Sequence, residues 1–201
     1  MNAAGVASSV GAWRQAERER RINIRLGMSA ADRAAETDAI VEALDGLVTL
    51  AAATVVSVYW PIRGEPDLRG WMHSVNERGA RVVLPVALAV GQPLAFREWH
   101  PSCRMTRGLW NIPYPADGDE LPPNVVIAPV VGFDRECYRL GYGGGFFDRT
   151  LAALPIKPVA IGVGFRCAAV ESINPQPHDI PMRWIVAAGE TIARCPRAGA
   201  V

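Results

Sequence analysis

The chain has 201 residues, 50% of them hydrophobic, and 21 lysine or arginine residues nearly balance 20 aspartate or glutamate residues. This composition suits one globular domain, and the near-neutral charge disfavours a nucleic-acid-binding surface. No apolar run reaches the roughly 20 residues that a membrane-spanning helix needs, and the cysteines form no CxxC pair of the kind that binds zinc. We therefore expect a cytoplasmic protein that binds neither nucleic acid nor membranes.

The first part of the chain predicts two helices and then a strand–helix–strand unit. The second helix begins with a capping box formed by Ser29 and Asp32, and the strand that follows is β-branched and aromatic. In chain order the predicted elements are helices 12–25 and 29–47, strand 53–60, helix 67–79 and strand 80–86.

The remainder repeats this unit, with strand 124–131, helix 146–154 and strand 157–165. A short extra strand is predicted at 93–99, and the proline-rich segment 101–123 indicates a long surface connection. Strand–helix–strand units predict an α/β fold: a single three-layer domain, 1–201, with a largely parallel central sheet and helices on both faces. Its core is expected at about 12–192, with frayed ends such as 194–201.

Three segments that follow strands contain unusual polar chemistry. Glu65 follows the first strand, a glycine loop follows the third, and His178 and Asp179 come after the fourth. Ligands bind at the carboxyl ends of parallel strands, so these segments are expected to meet at one edge of the sheet.

The glycine loop lies within the stretch YRLGYGGGFFDR, residues 138–149. Its glycines allow positive φ and a close approach to a ligand, and the loop leads into a helix N-terminus that favours an anion. It matches neither the P-loop nor the GxGxxG pattern, so the glycines alone leave open a phosphate site or a plain helix-entry loop. Arg139 and Asp148 favour phosphate, because arginine neutralises phosphate charge and a carboxylate beside phosphate can hold Mg²⁺.

The other candidates also have ordinary explanations. Glu65 can be a solvated turn carboxylate and Asp179 a turn residue that bonds its own backbone. Trp110 can be a packing residue of the long connection. Arg14 and Arg18 share one helix face, which can be simply solvated.

Read together, these segments resemble the 5-formyltetrahydrofolate cyclo-ligase (5,10-methenyltetrahydrofolate synthetase) family. The family's basic first helix is similar to that around Arg14 and Arg18, and its glutamate after a strand is similar to VYWPIRGEPDL. Its central loop resembles WNIPYP, its hallmark FDxxGxRLGxGxGYYDR resembles FDRECYRLGYGGGFFDR, and its late HD motif resembles PHDIP.

The resemblance implies a ligase that uses ATP and Mg²⁺ to convert 5-formyltetrahydrofolate to 5,10-methenyltetrahydrofolate, by phosphorylation of the formyl oxygen and then attack by N10. It implies catalytic roles for Arg139 and Asp148 and Mg²⁺ binding by Asp148 and Asp179. The implied ATP-binding residues are Arg14, Arg18, Arg139, Gly141, Tyr142, Gly143, Gly144, Gly145 and Phe146. The implied folate-binding residues are Tyr59, Glu65, Trp110 and Phe147. The partner is then a small-molecule folate, and we expect a monomer or weak dimer.

Three positions depart from the family pattern. Cys137 replaces the hallmark glycine, so a turn with positive φ would be strained there or would take another shape. Phe147 replaces a tyrosine, and Arg14 replaces the usual lysine. These departures leave open a diverged, non-catalytic paralogue that binds folate or nucleotide. Fold analogy alone also allows an isomerase or transferase acting on a phosphorylated sugar or a coenzyme A ester.

Overall fold

The structure, a computed structural model, describes residues 3–194, with side chains from residue 9 onward. In that range no helix is long and apolar enough to cross a membrane. Most of the tail predicted to fray lies outside the described residues. The helices are α1 (Ala3–Gly27), α2 (Ala30–Leu47), α3 (Arg69–Glu77) and α4 (Phe146–Ala153), with single 3-10 turns at Leu109–Asn111 and Arg166–Ala168. The strands are β1 (Val55–Ser57), β2 (Arg81–Val86), β3 (Ala95–Trp99), β4 (Met105–Arg107), β5 (Pro113–Pro115), β6 (Val125–Pro129), β7 (Gly132–Phe133), β8 (Arg139–Leu140), β9 (Val159–Gly164), β10 (Trp184–Ala187) and β11 (Glu190–Ala193).

The central sheet has seven strands in the order β11-β10-β9-β6-β1-β2-β3. The five inner strands are parallel to one another, and the edge strands β3 and β11 are antiparallel to their neighbours. The predicted strand at 93–99 is therefore the antiparallel edge strand β3, and the prediction of a largely parallel sheet is confirmed.

Helices cover both faces of this sheet. Successive side chains on a strand point to opposite faces, and on β6 Ile127 packs with α2 and α3, whereas Ala128 packs in the same cluster as Leu151 of α4. Val186 and Ile185 of β10 divide between the two clusters in the same way. The prediction of a single three-layer α/β domain is confirmed.

The N-cap at Ser29 predicted for α2 is present, as one half of the predicted capping box. The Ser29 hydroxyl accepts a hydrogen bond from the backbone N–H of Asp32 at 3.0 Å, and Ile40 and Leu44 on the apolar face are fully buried. Helix α1 begins well before the predicted position 12, because the alanine-rich stretch before it is compatible with a helix.

Three regions of secondary structure were missing from the sequence prediction, one of them the short antiparallel pair β7–β8. The segment 101–123 contains a small antiparallel hairpin, β4–β5, with a 3-10 turn at its tip. Its strands have three residues each and β5 is PYP, so neither length nor alternation marks them. The antiparallel pair β10–β11 was also not predicted.

The outer edge of β3 is covered by residues 119–121. The backbone N–H of Glu98 donates to the carbonyl of Asp119, and the N–H of Leu121 donates to the carbonyl of Phe96. An isolated antiparallel bridge joins Arg97 and Glu120 between these two bonds. The segment thus satisfies backbone groups that an edge strand would otherwise present to solvent.

Candidate active site

One pocket of about 660 Å³ opens at the carboxyl ends of the parallel strands. One wall is the apolar end of β2, and the hairpin β4–β5 supplies part of the opposite rim. The pocket brings together every residue that the sequence analysis proposed for the site. These are Arg14, Arg18, Tyr59, Glu65, Trp110, Arg139, Gly141, Tyr142, Gly143, Gly144, Gly145, Phe146, Phe147, Asp148 and Asp179.

The glycine loop has a conformation that requires glycine. Gly143 has φ 93° and Gly145, the N-cap of α4, has φ 62°. A side chain at Gly144 would place its Cβ 2.8 Å from the Phe146 ring. The loop therefore presents bare backbone to the pocket at the start of a helix, where the first-turn N–H groups have no intrahelical acceptors. Such a surface can bind a phosphate group.

Arg18 lies against this loop with part of its guanidinium unused. Its Nε donates to the Gly141 carbonyl at 2.9 Å, and the position of a Cβ on Gly143 would be 3.4 Å from its Cζ. Burial, and then the neighbouring charge of Arg14, lower the pKa of Arg18. Within residues 9–194 its Nη groups have no hydrogen-bond partner, so the positive charge beside the loop is available to an anion.

Arg14, by contrast, is held by the protein. Its Nη2 pairs with Asp179 at 2.5 Å, and both side chains are about nine-tenths buried. Its Nε and Nη2 also donate to the carbonyls of Ile173 and Asn174. Although burial raises the pKa of Asp179, hydrogen bonds from Arg14 and from the Gln176 N–H lower it overall. This pair fixes the middle of α1 to the loop before β10.

Arg139 and Asp148 form a second internal pair. The Arg139 side chain is only 4% exposed, and its Nη2 donates to Asp148 Oδ1 at 2.9 Å. The same Oδ1 accepts the Ile180 N–H, and Arg139 Nη1 donates to the Ile180 carbonyl at 2.6 Å. Burial lowers the pKa of Arg139, while Asp148 opposes this effect. The pair therefore orients the first turn of α4 as well as facing the pocket.

The carboxylates fit a divalent cation only in part. No group of three or more His, Cys, Asp or Glu side chains in the described part of the chain could hold a metal. Asp148 and Asp179 each already accept hydrogen bonds from an arginine. Mg²⁺ usually takes one or two carboxylates and completes its shell with water and substrate phosphates. The residues present are compatible with a cation that arrives with a nucleotide, and not with a dedicated protein cage.

Glu65 also lines the pocket and is only 6% exposed. Its Oε2 accepts the Ile62 N–H at 2.9 Å, and its Oε1 accepts the hydroxyl of Tyr142 at 2.8 Å. Burial raises the pKa of Glu65 to about 6, although these hydrogen bonds and the charge of Arg25 oppose the increase. Tyr59 nearby is buried, and its hydroxyl donates to the Pro66 carbonyl, so it can offer a ligand only its ring.

Trp110 is the exposed aromatic residue at the tip of the β4–β5 hairpin. Its side chain is 61% exposed, its φ is 55°, and its ring meets the Phe146 ring edge-on with centroids 5.4 Å apart. Phe147 lies deeper, packed against the core around α4, with the Arg139 guanidinium 6.0 Å from its ring centroid. A flat ligand could pack against the exposed ring of Trp110.

Cys137 does adopt the conformation expected of the hallmark glycine. Its φ is 64°, and its side chain is fully buried beside Phe133 and Met182. The turn therefore keeps its shape with backbone strain, which was one of the two outcomes predicted from the sequence.

Three arginines in or beside the site were not identified from the sequence: Arg63 lines the pocket, and Arg25 and Arg149 bond to residues that line it. Arg25 is 4% exposed, and its Nη2 donates to the Tyr142 hydroxyl at 2.7 Å. Its spacing of seven residues from Arg18 places both on one helix face, a signal that could have found it. Arg149 ends the glycine-loop motif, donates to the Gly144 carbonyl and lies 5.3 Å from the Phe146 ring centroid.

Comparisons with known proteins agree with this geometry. The cyclo-ligase of Escherichia coli K12 is 33% identical over 142 residues, 67% of this chain and 78% of the relative. The cyclo-ligase of Mycolicibacterium smegmatis is 30% identical over 170 residues, 81% of this chain and 87% of the relative.

Two solved structures share the fold. The NMR structure of Aquifex aeolicus 5,10-methenyltetrahydrofolate synthetase superposes with a TM-score of 0.78 at 24% identity, covering 94% of this chain and 95% of that one. The Mycoplasma pneumoniae synthetase gives 0.72 at 19% identity, covering 88% and 99%. The model of the 5-formyltetrahydrofolate cyclo-ligase family matches residues 10–188. Since that match extends from α1 through β10 and includes every residue predicted for the pocket, the chain belongs to the 5-formyltetrahydrofolate cyclo-ligase family, and it is a ligase.

Proposed function

We propose that the protein converts 5-formyltetrahydrofolate to 5,10-methenyltetrahydrofolate with ATP and Mg²⁺. The observation that supports this most directly is the arrangement of one pocket. It contains a bare glycine loop with Arg18 beside it, whose Nη groups have no hydrogen-bond partner within residues 9–194. The same pocket contains the buried carboxylate of Glu65 and the exposed ring of Trp110. Such a pocket can bind a phosphate donor and a flat, N–H-rich ring at the same time.

For the proposed phosphoryl transfer, the protein supplies positioning and positive charge. A formamide oxygen is a poor leaving group, so ATP contributes the phosphoryl group that allows this oxygen to depart when N10 attacks. Phosphoryl transfer depends mainly on alignment and charge neutralisation, which the loop N–H groups and Arg18 provide. Mg²⁺, when bound with the nucleotide, neutralises phosphate oxygens, and Asp148 and Asp179 are the side chains proposed to hold or orient it.

For the proposed folate substrate, the protein supplies a hydrogen-bond acceptor and ring surfaces. A carboxylate has about four lone-pair positions, and Tyr142 and Ile62 use two of those on Glu65. The remaining positions are available to the N–H groups of a pterin. Trp110, Tyr59 and Phe147 offer ring surfaces for packing.

The test is an absorbance assay for the methenyl product, with purified protein, 5-formyltetrahydrofolate and ATP, run with and without Mg²⁺. We expect product only with both ATP and Mg²⁺, and one ADP released for each product formed. Arg18→Gln should raise the KM for ATP, and Glu65→Gln the KM for folate, each by about tenfold, as for loss of one charge-assisted contact. Arg20→Gln, at an exposed position on the same helix, is the matched control and should change neither.

Binding of nucleotide or folate without product at high enzyme concentration would contradict the proposal. That result would support the non-catalytic paralogue instead. The cytoplasmic location and the monomeric or weakly dimeric state stay predictions. Sedimentation of the purified protein would test the second.

A further inference from the structure

Tyr142 links the glycine loop to Glu65. It stands inside the glycine loop, between Gly141 and Gly143, which predicts a nucleotide contact. Its hydroxyl instead reaches Glu65, to which it donates at 2.8 Å, and it accepts a hydrogen bond of 2.7 Å from Arg25. The family resemblance implied ATP binding by Tyr142 and no role for Arg25.

The chemistry of the three side chains fixes the direction of both hydrogen bonds made by the Tyr142 hydroxyl. Arginine can only donate and an ionised carboxylate can only accept, so the single hydroxyl proton of Tyr142 must point to Glu65. Burial, and then the charge of Glu65, raise the pKa of Tyr142, so the phenol stays neutral and remains a donor. The positive charge of Arg25 polarises the hydroxyl and strengthens its bond to the carboxylate.

On the basis of the proposed function, we infer that Arg25 and Tyr142 are positioning residues that hold the Glu65 carboxylate ionised and oriented for the pterin N–H groups. Arg25 itself is anchored, because its Nε donates to the Arg63 carbonyl at 3.1 Å. The three side chains are here called the Arg25–Tyr142–Glu65 relay. They connect helix α1 and the glycine loop to the loop after β1.

Other charged and titratable groups also face Glu65. The loop after β1 contributes Arg63, whose charge favours the ionised carboxylate, and Asp67, whose charge acts on the neighbouring Tyr59. Tyr59 lies beside Glu65 at the end of β1, and its pKa is raised by burial and then by Glu65. None of these groups donates a side-chain hydrogen bond to Glu65 in the described structure, so Tyr142 is the side chain whose removal isolates the effect of the relay.

The first experiment measures the Glu65 carboxyl directly in the free protein. A ¹³C-detected NMR titration of its side chain, in the parent and in Tyr142→Phe, does not depend on folate binding. Loss of one hydrogen bond to the charged form should move the Glu65 inflection upward by about one pH unit. Tyr138→Phe, which removes a tyrosine hydroxyl outside the relay, is the matched control and should leave the inflection in place.

The second experiment measures the affinity for 5-formyltetrahydrofolate by calorimetry across the same pH range. We expect the acid-side loss of affinity to move upward in pH in Tyr142→Phe, with the KM for ATP unchanged. Arg25→Gln should move it in the same direction, and Arg25→Lys should restore part of the parent profile. Tyr142→Phe keeps the aromatic ring, so it still tests the inference if the Arg25 variants fail to fold.

The outcomes separate this inference from the proposed function. If the parent does not bind 5-formyltetrahydrofolate, the proposed function fails, and the NMR titration still decides whether the relay tunes Glu65. An unmoved Glu65 inflection in Tyr142→Phe would overturn the inference. So would a higher KM for ATP with an unchanged folate profile, because it would make Tyr142 a nucleotide contact.

Discussion

At the scale of single residues, Asp148 has a structural role beside the chemical role proposed for it. Its Oδ1 accepts hydrogen bonds from Arg139 and from the Ile180 N–H. Both bonds anchor the first turn of α4, directly after the glycine loop. Any substitution at this position therefore changes stability as well as the proposed metal site.

We predict that Asp148→Asn reduces turnover greatly and raises the Mg²⁺ concentration needed for half-maximal rate. It should also lower the free energy of unfolding by roughly 2–3 kcal/mol, because buried Arg139 loses its charged partner. Steady-state kinetics and urea denaturation measure the two effects separately, with Asp38→Asn on exposed α2 surface as the control. A stability loss with parental turnover would show that Asp148 is not a metal residue.

Cys137 gives a prediction about backbone strain. Its φ of 64° lies in the left-handed region, where a residue with a Cβ pays about 1–2 kcal/mol. Cys137→Gly should therefore be more stable than Cys137→Ala by about 1 kcal/mol, the reverse of the order found in ordinary helix positions. Urea denaturation of the two variants checks this, and an alanine variant at least as stable as the glycine variant would contradict it.

At the scale of elements, the β4–β5 hairpin places an aromatic ring over the pocket with little support from the core. Trp110 is mostly exposed, and the contact with Phe146 of α4 is its only ring–ring contact within the described residues.

We predict that Trp110→Ala raises the KM for folate by about tenfold, as for loss of one ring-stacking contact. The free energy of unfolding should change by less than about 0.5 kcal/mol, because the side chain is largely exposed. Val90→Ala, at another exposed apolar position, serves as the control for both measurements. If folate affinity stayed parental, Trp110 would have to be a packing residue of the hairpin, the ordinary explanation considered from the sequence.

Sequence patterns predicted the elements whose periodicity extends over several residues. Helix α2 was found from its cap, and the inner strands β6 and β9 were found because burial on both faces gives an apolar run rich in β-branched residues. The three-residue strands β4 and β5 were not found, because tertiary pairing and not local preference defines them. Topology also predicted that the polar segments converge on one edge of the sheet.

The pairing inside the site could not be predicted in the same way. Arg14 and Asp179 are 165 residues apart in the chain, and only the packing of α1 against the loop before β10 brings them together. The hydroxyl of Tyr142 likewise reaches Glu65 across the fold. Local sequence indicates which side chains are suited to phosphate or folate, and the fold decides which of them are already paired.

At the scale of the whole molecule, Glu65 makes stability depend on pH. Its pKa rises from an ordinary value of 4.5 to about 6 on folding, so between these values the folded protein binds more protons than the unfolded chain. Stability from this group is therefore greatest at low pH and falls as pH rises through that window. Asp179, whose pKa is lowered, acts in the opposite sense: it contributes stability above its ordinary value, and that contribution is lost on acidification below it.

We predict that the parent loses stability relative to Glu65→Gln as pH increases from about 4.5 to 6.5. The loss should reach about 2 kcal/mol, the equivalent of a pKa change from 4.5 to about 6. Thermal or urea unfolding at several pH values gives the two curves, and the glutamine variant should lack this component of the slope. Parallel curves through this window would mean that Glu65 titrates in the folded protein as it does in the unfolded chain.

The backbone bonds between β3 and residues 119–121 bear on how the molecule behaves in a concentrated solution. An uncovered sheet edge is a template on which a second chain can add a strand. Asp119 and Glu120 of the covering segment also form ion pairs with Arg81 and Arg97 of the sheet, which helps to hold the segment over the edge. A shortened 119–121 segment should therefore leave the pocket chemistry unaltered while promoting aggregation, seen as light scattering that increases with protein concentration. The length of the 119–121 segment therefore helps to determine how soluble the protein is. It acts at the β3 edge of the sheet, opposite the β11 edge.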